Sequence, residues 1–410
     1  MTETMTEKPF RDQRRVPGWG IFSGALLLGA CAGGDSGSTD YVELTVSSDD
    51  IHTVATPDMV TRVVDLQPAG DGRVWLLNSQ APYFVVLGPD GQVEREFGER
   101  GGGPQEFGAP VALVLGPGSE DVWTYDVRRN ALIRISAGEG RELALPTDSV
   151  PPSSLITFQG AGINQGAPWL ESTGDGFLLA PARGSQLETA LQLWNADIVL
   201  VREDGPEVGL QRHTPIADLL GDPASRYGNA AALLPYPVWT VCGNRTVGLY
   251  DPLSNTLRRI TESGEELVAF ALPEERQVEI TVDRVFEMFY RQVAANVSSA
   301  QLPPKAEMRS LTEEQNEELV STSADVFPEY ADLRCTSDGT LWIRPFDMTA
   351  VRLGQGSDWI RLSADGSQTR FALPRAFRTF GIESDRIWGT LQDTLGVESI
   401  VWVGLDSLRS

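Results

Sequence analysis

Cysteine and histidine are scarce in this chain, at three and two residues among 410. That excludes zinc sites of the Cys/His type and disulfide scaffolds as organising principles. Basic residues are also few, 33 against 57 acidic ones, for a formal net charge of −24. Phosphate binding needs clustered Lys and Arg, so this balance argues against DNA or RNA as a partner. No Gly-x-Ser-x-Gly elbow marks a serine hydrolase. Gly101 to Gly103 is not followed by the Lys-Ser/Thr of a phosphate loop, and no His-x-x-x-His pair offers a metal clasp. His52 and His213 read as lone loop residues outside the repeated strands. What is abundant is turn chemistry: 41 Gly and 26 Pro, about one residue in six, above average usage.

The N-terminus carries Lys8, Arg11, Arg14 and Arg15, then an apolar run from Trp19 to Ala30. Twelve residues are too few to span a bilayer, which takes about 20. A basic region followed by a short apolar one reads as an export signal over residues 1–30. Its end, Leu28-Gly29-Ala30-Cys31, resembles the bacterial lipobox, which implies lipidation of Cys31. Two acyl chains there would anchor the protein to a membrane. Residues 31–40, with Gly33, Gly34, Ser36, Gly37 and Ser38, read as a flexible tether. Arg14-Arg15 is flanked by Gln13, Val16 and Pro17, a poor fit to twin-arginine export. Ala32 after the lipid Cys resembles outer-membrane sorting, which implies an outer membrane facing the periplasm rather than the inner membrane.

From residue 41 to 410 a repeat is visible. Its template is Gly72–Leu77, Tyr83–Leu87, a Pro89-Asp90-Gly91 turn and Gln92–Phe97. β-rich runs split by Asp-Gly turns read as antiparallel hairpins. The second strand recurs at Val122–Tyr125, Gly176–Leu179, Thr246–Leu249, Leu341–Arg344 and Ile387–Thr390. Outer hairpins recur at Leu132–Pro146, Ile198–Leu210, Leu257–Pro273 and Trp359–Pro374, three of them ending Ala-Leu-Pro. Inner strands are expected at Arg62–Leu66, Pro110–Leu115, Pro168–Glu171, Pro237–Cys242, Tyr330–Cys335 and Phe377–Ile382. Six four-stranded units with two apolar faces bury both by stacking radially. A strand at Tyr41–Val46 is expected to close the ring by joining the last unit.

The linker Phe97-Gly98-Glu99-Arg100-Gly101-Gly102-Gly103-Pro104-Gln105-Glu106-Phe107 resembles the blade linker of bacterial six-bladed β-propeller lipoproteins related to NHL repeats. The resemblance covers most of residues 45–405. It departs in the long insertions after units two, three and four, and in Val247 where other units carry Trp or Phe. In the insertion 274–332, Val282, Val285, Phe286, Phe289 and Val293 recur at helical spacing. Ser310-Leu311-Thr312-Glu313 fits a capping box opening a second helix. The expected helical hairpin reads most plainly as a cover over one blade's edge; the functional alternative is a lid over the axial opening.

In such a fold one face would carry Asn78, Asp126, Arg128, Arg183, Tyr250, Asp251, Arg344, Asp347 and Asp393. Of these Asp126, Arg128, Arg183, Tyr250 and Arg344 are the candidate ligand-binding residues. A guanidinium such as Arg183 or Arg344 can grip a carboxylate or phosphate in bidentate fashion, or simply pair with a nearby Asp. Cys242 and Cys335 fall at equivalent points of adjacent inner strands. They read as two buried thiols, with a disulfide as the alternative that export permits. No cofactor or metal is expected. The resemblance also implies an alternative, a calcium-dependent lactonase-like hydrolase, since calcium takes oxygen ligands. Asp71, Asp175 and Asp338 are better explained as turn residues beside Gly72, Gly176 and Gly339. The sequence therefore reads as a membrane-anchored all-β propeller that binds a protein partner or a small ligand of the envelope.

Overall fold

The computed structural model describes residues 41–55, 62–103, 105–116, 121–126, 128–129, 131–136, 142–144, 170–172, 176–179, 197–202, 211–215, 235, 237–242, 246–261, 265–272, 277–296, 302–348, 358–363, 365–393, 396–406 and 408. The expected signal peptide, Cys31, the tether and Arg183 lie outside them.

Besides a two-stranded pairing of Glu99–Arg100 with Glu106–Phe107, the described strands form five four-stranded sheets and one five-stranded sheet, met in chain order. The first holds Val63–Pro68, Val74–Asn78, Phe84–Leu87 and Val93–Phe97. The second holds Pro110–Leu115, Val122–Asp126, Ala131–Arg134 and Glu142–Ala144. Leu170–Ser172, Gly176–Leu179, Asp197–Arg202 and Gln211–Pro215 make the third. Val238–Cys242, Thr246–Asp251, Thr256–Thr261 and Glu266–Ala271 make the fourth. The fifth begins Tyr330–Cys335, Leu341–Pro345, Trp359–Leu362 and Gln368–Ala372, and the sixth Phe377–Ile382, Arg386–Gln392 and Glu398–Gly404. Within each sheet, strands consecutive along these runs pair antiparallel.

An antiparallel sheet with one wet face alternates buried and exposed residues. Here the second strands do not alternate: Val74–Asn78, Val122–Asp126, Thr246–Asp251 and Leu341–Pro345 are buried throughout. These four sheets are therefore covered on both faces, and their neighbours are the cover. Trp75, Leu77 and Phe84 of the first sheet pack on Leu113, Val122 and Ile133 of the second. Innermost strand Leu170–Ser172 lies beside both Pro110–Leu115 and Val238–Cys242. Leu257 and Tyr250 meet Leu333 and Ile343 across the next seam. Trp342, Trp359 and Phe371 meet Ile387 and Val401. Finally Trp388 and Ile400 pack on Val63, Leu76 and Val85, returning to the start. The arrangement is a closed β-propeller. Each fully buried Leu, Val or Phe in these seams contributes about 1.5–3 kcal/mol.

Closure differs from expectation. Residues Val42–Thr45 do not join the last sheet; they lie parallel to Gln368–Ala372 at the outer edge of the fifth. The strand completing the sixth sheet is Ile51–Ala55, antiparallel to Glu398–Gly404. A 3-10 turn at Ser48–Asp50 separates the two, with the Asp50 carboxylate accepting from the Ser47 N–H and hydroxyl. His52 and His213 also depart from their reading: each sits inside a strand, and His52 stacks on Trp402 with centroids 4.0 Å apart.

The insertion contains two helices, α1 (Val282–Asn296) and α2 (Lys305–Ser321), which pack on each other. α1 buries Val285, Phe286 and Met288, as the 3.6-residue spacing implies. α2 opens earlier than the capping box suggested, with Pro304 at its N-cap. Ser310 falls inside the helix. The hairpin seats through Phe327, which stacks on Phe346 of the loop after Leu341–Pro345 (centroids 5.6 Å), and through Met348. Among the described residues no helix is long and apolar enough to cross a membrane.

Candidate functional site

The loops after the second strands carry most of the candidate residues, and their polar groups organise those loops. The buried Asp126 carboxylate accepts the backbone N–H groups of Gly108 (2.6 Å), Ala109 (3.1 Å), Arg128 (3.0 Å) and Arg129 (3.2 Å). It fastens the incoming linker to the turn. Asp251 organises its own turn in the fourth sheet, accepting from the Leu253 N–H, the Ser254 hydroxyl and Arg258 Nη2. Asn78 accepts the Arg62 N–H, and Asp393 the Val397 N–H. Asp347 is half-buried, and Arg128 is exposed beside Gly108.

Arg344 is buried within the fifth sheet. Its Nη2 donates to Asp332 Oδ2 at 2.7 Å, and its guanidinium lies 5.0 Å from the Trp359 ring centroid. Asp332 is in the innermost strand, so this pair ties the first two strands of one sheet together. Asp65 occupies the same place in the first sheet. Its Oδ1 accepts the Leu66 N–H (2.9 Å) and its Oδ2 the Leu113 N–H of the next sheet (2.7 Å). Burial pushes its carboxyl above the ordinary carboxylate range, against the pull of those two donors and of the Arg334 and Arg378 charges. Arg378 in turn donates to the Val63 and Val64 carbonyls, joining the sixth sheet to the first. The sequence reading did not single out Asp65. Its signal was an Asp-Leu pair at the third and fourth places of an inner strand, repeated at Asp332-Leu333.

Cys242 and Cys335 form a disulfide, with Cα atoms 5.1 Å apart. The reading as two free buried thiols is overturned, because the bend between neighbouring blades brings the ends of the two inner strands within bonding reach. Among the described residues no group of three or more His, Cys, Asp or Glu side chains could hold a metal ion. Asp71 and Asp338 each accept a backbone N–H inside their own hairpin turns, as turn residues should.

Tyr250 is the candidate that lines a cavity. A cleft of about 270 Å³ opens where the Tyr250–Pro252 loop faces the segment returning from α2. Tyr250, Pro235, Pro252, Val326 and Phe327 supply its apolar wall. Gln277, Ser323, Asp325 and Glu329 supply its polar edge, with Gln277 Nε2 donating to Glu329 Oε1 at 3.2 Å. The structure thus gathers Tyr250 with residues of the insertion. It leaves Asp126 and Arg128 on the second sheet and Arg344 inside the fifth. Phe327 and Glu329 escaped the sequence reading because only their place at the end of the insertion marks them.

No family model matches this chain, and no curated protein matches it. Among solved structures it is similar to a virginiamycin B lyase from Staphylococcus aureus, at 15% identity over 85% of this chain and 87% of that one, with a TM-score of 0.40. It is similar to an exported protein from Bacteroides fragilis at 10% identity over 90% and 100% of the two chains, TM-score 0.45. A gluconolactonase from Xanthomonas campestris aligns at 12% identity over 88% and 89%, TM-score 0.39. Likenesses this distant carry no argument about what the chain does.

Proposed function

We propose that this chain is an exported lipoprotein, anchored through Cys31 to the outer membrane and facing the periplasm. On this reading it carries a six-bladed propeller that binds an envelope partner and performs no chemistry of its own. Six successive sheets, each seated on the next and the last on the first, support the blade number. The cleft between the Tyr250–Pro252 loop and the Ser323–Glu329 segment carries the binding reading. It sits on a rigid ring and is walled by an insertion the repeat does not need, which is how a scaffold presents a variable site.

Two experiments test this. Cys31→Ser should release the protein from the membrane fraction; retention there overturns the anchor. A photo-crosslinking residue at Asp325, on the cleft, should give a discrete protein adduct in intact cells, while one at Asp90, in a hairpin turn of the first sheet, should not. Equal labelling from both sites, or none from Asp325, overturns the binding site. A rise in unfolding temperature of several degrees in millimolar calcium over EDTA would instead place the hydrolase first.

A further inference from the structure

We infer that the cleft receives a positively charged side chain, Arg or Lys, protruding from a partner protein. The inference rests on the cleft being the binding site proposed above and names the chemistry of its occupant.

Size comes first. The cleft holds about 270 Å³. Pockets that enclose whole small ligands measure about 300–1,000 Å³. A space at or below that lower limit suits one inserted side chain better than a metabolite.

Its walls have two characters. Tyr250, Phe327, Val326, Pro235 and Pro252 offer an apolar surface, while Asp325 and Glu329 place two carboxylates at the polar edge with the Gln277 amide. Among the described residues no Lys or Arg lines the cleft. Long basic side chains match this division: a methylene stem lies along apolar surface while the charged head reaches polar groups. Aromatic walls add attraction for a cation. An acidic occupant would meet two like charges. A neutral apolar one would desolvate the carboxylates without a partner, which is costly. The chain's net charge of −24 also raises the local concentration of basic partners and their rate of encounter.

The test uses the mature chain and two amides, N-acetyl-arginine amide and N-acetyl-norleucine amide, which keeps an apolar stem without the charged head, titrated by NMR. The arginine amide should bind saturably, and its affinity should fall with added salt. The norleucine amide should bind at least about tenfold more weakly, the loss expected when a charge-assisted hydrogen bond is missing. Asp325→Asn with Glu329→Gln should weaken arginine-amide binding by a similar factor without lowering the unfolding temperature. The single exposed change Asp325→Asn should give a smaller loss in the same direction. Asp90→Asn with Glu94→Gln, at a distant turn, should change nothing. Equal binding of the two amides, or full binding by the double variant, overturns the cationic assignment. If the crosslink from Asp325 persists in that event, the cleft remains a binding site for an occupant of other chemistry. If the crosslink also fails, both readings fall.

Discussion

Tyr250 and Tyr330 meet edge to face, ring centroids 5.1 Å apart, across the seam between the fourth and fifth sheets. The Cys242–Cys335 disulfide joins the same two sheets at the opposite ends of their inner strands. One seam is thereby pinned at both ends, and the insertion leaves and re-enters the ring beside it. The cleft sits above the tyrosine end, so its shape depends on this seam holding.

Removing the ring of Tyr250 should be severe. Tyr250→Ala leaves a hole in a fully buried seam and should cost about 3–5 kcal/mol, as large aromatic truncations do. Tyr250→Phe keeps the edge-to-face contact and should recover most of that loss. Urea unfolding of the three proteins reads both effects.

The disulfide should matter as much. It closes a loop of sequence separation 93. Cross-linking loops of this size restricts the unfolded chain and contributes about 2–5 kcal/mol. Cys242→Ala with Cys335→Ala should lower the unfolding temperature by several degrees. Reductant should lower that of the wild type and leave the variant unmoved. Thiol labelling of the unfolded, unreduced chain from residue 39 onward should find no free cysteine.

Asp65 gives a pH signature. Its folded pKa lies above the unfolded value, so the folded state binds the proton more tightly. Its contribution to stability is therefore greatest below about pH 3.8 and declines as pH rises through the raised folded value. Asp65→Asn keeps one acceptor for two N–H donors and should destabilise by about 1–3 kcal/mol. The gap between wild type and variant should narrow as pH rises above 3.8. A gap that widens over that range would show that the two N–H bonds, and not burial, dominate this carboxyl.

Gly91 is constrained in two ways. Its φ of +77° is left-handed, and a Cβ there would lie 2.2 Å from the Val54 carbonyl oxygen. Gly91→Ala should therefore strain the turn and push away the closing strand Ile51–Ala55 together. Faster hydrogen exchange confined to residues 51–55 and the Phe84–Phe97 hairpin would confirm it.

The inner strand Pro110–Leu115 was legible because burial leaves a continuous apolar run in the sequence. The closing strand was not. Val42–Thr45 and Ile51–Ala55 are both short β-rich runs, and only distant edges decide which sheet each joins. Helix α2 began at the proline rather than at Ser310 because burial of Met308 and Asn316 against the hairpin continues the helix on both sides of the serine. Tyr250 was reachable as a site residue from its place in the repeat. Its cleft partners were not, since Asp325, Phe327 and Glu329 are set beside it by the packing of the insertion.

The sixth sheet takes its outer strand from the start of the described chain and its other three from the end. At the same junction the Val63 N–H reaches Glu398 Oε2 over a separation of 335 residues. Contacts so remote in sequence are the slow step of folding, because almost the whole chain must be present before they form. Residues 51–55 emerge early in synthesis and must wait, edge unpaired, for residues 398–404. During synthesis this sets a timing: the ring stays open until its last strand has emerged.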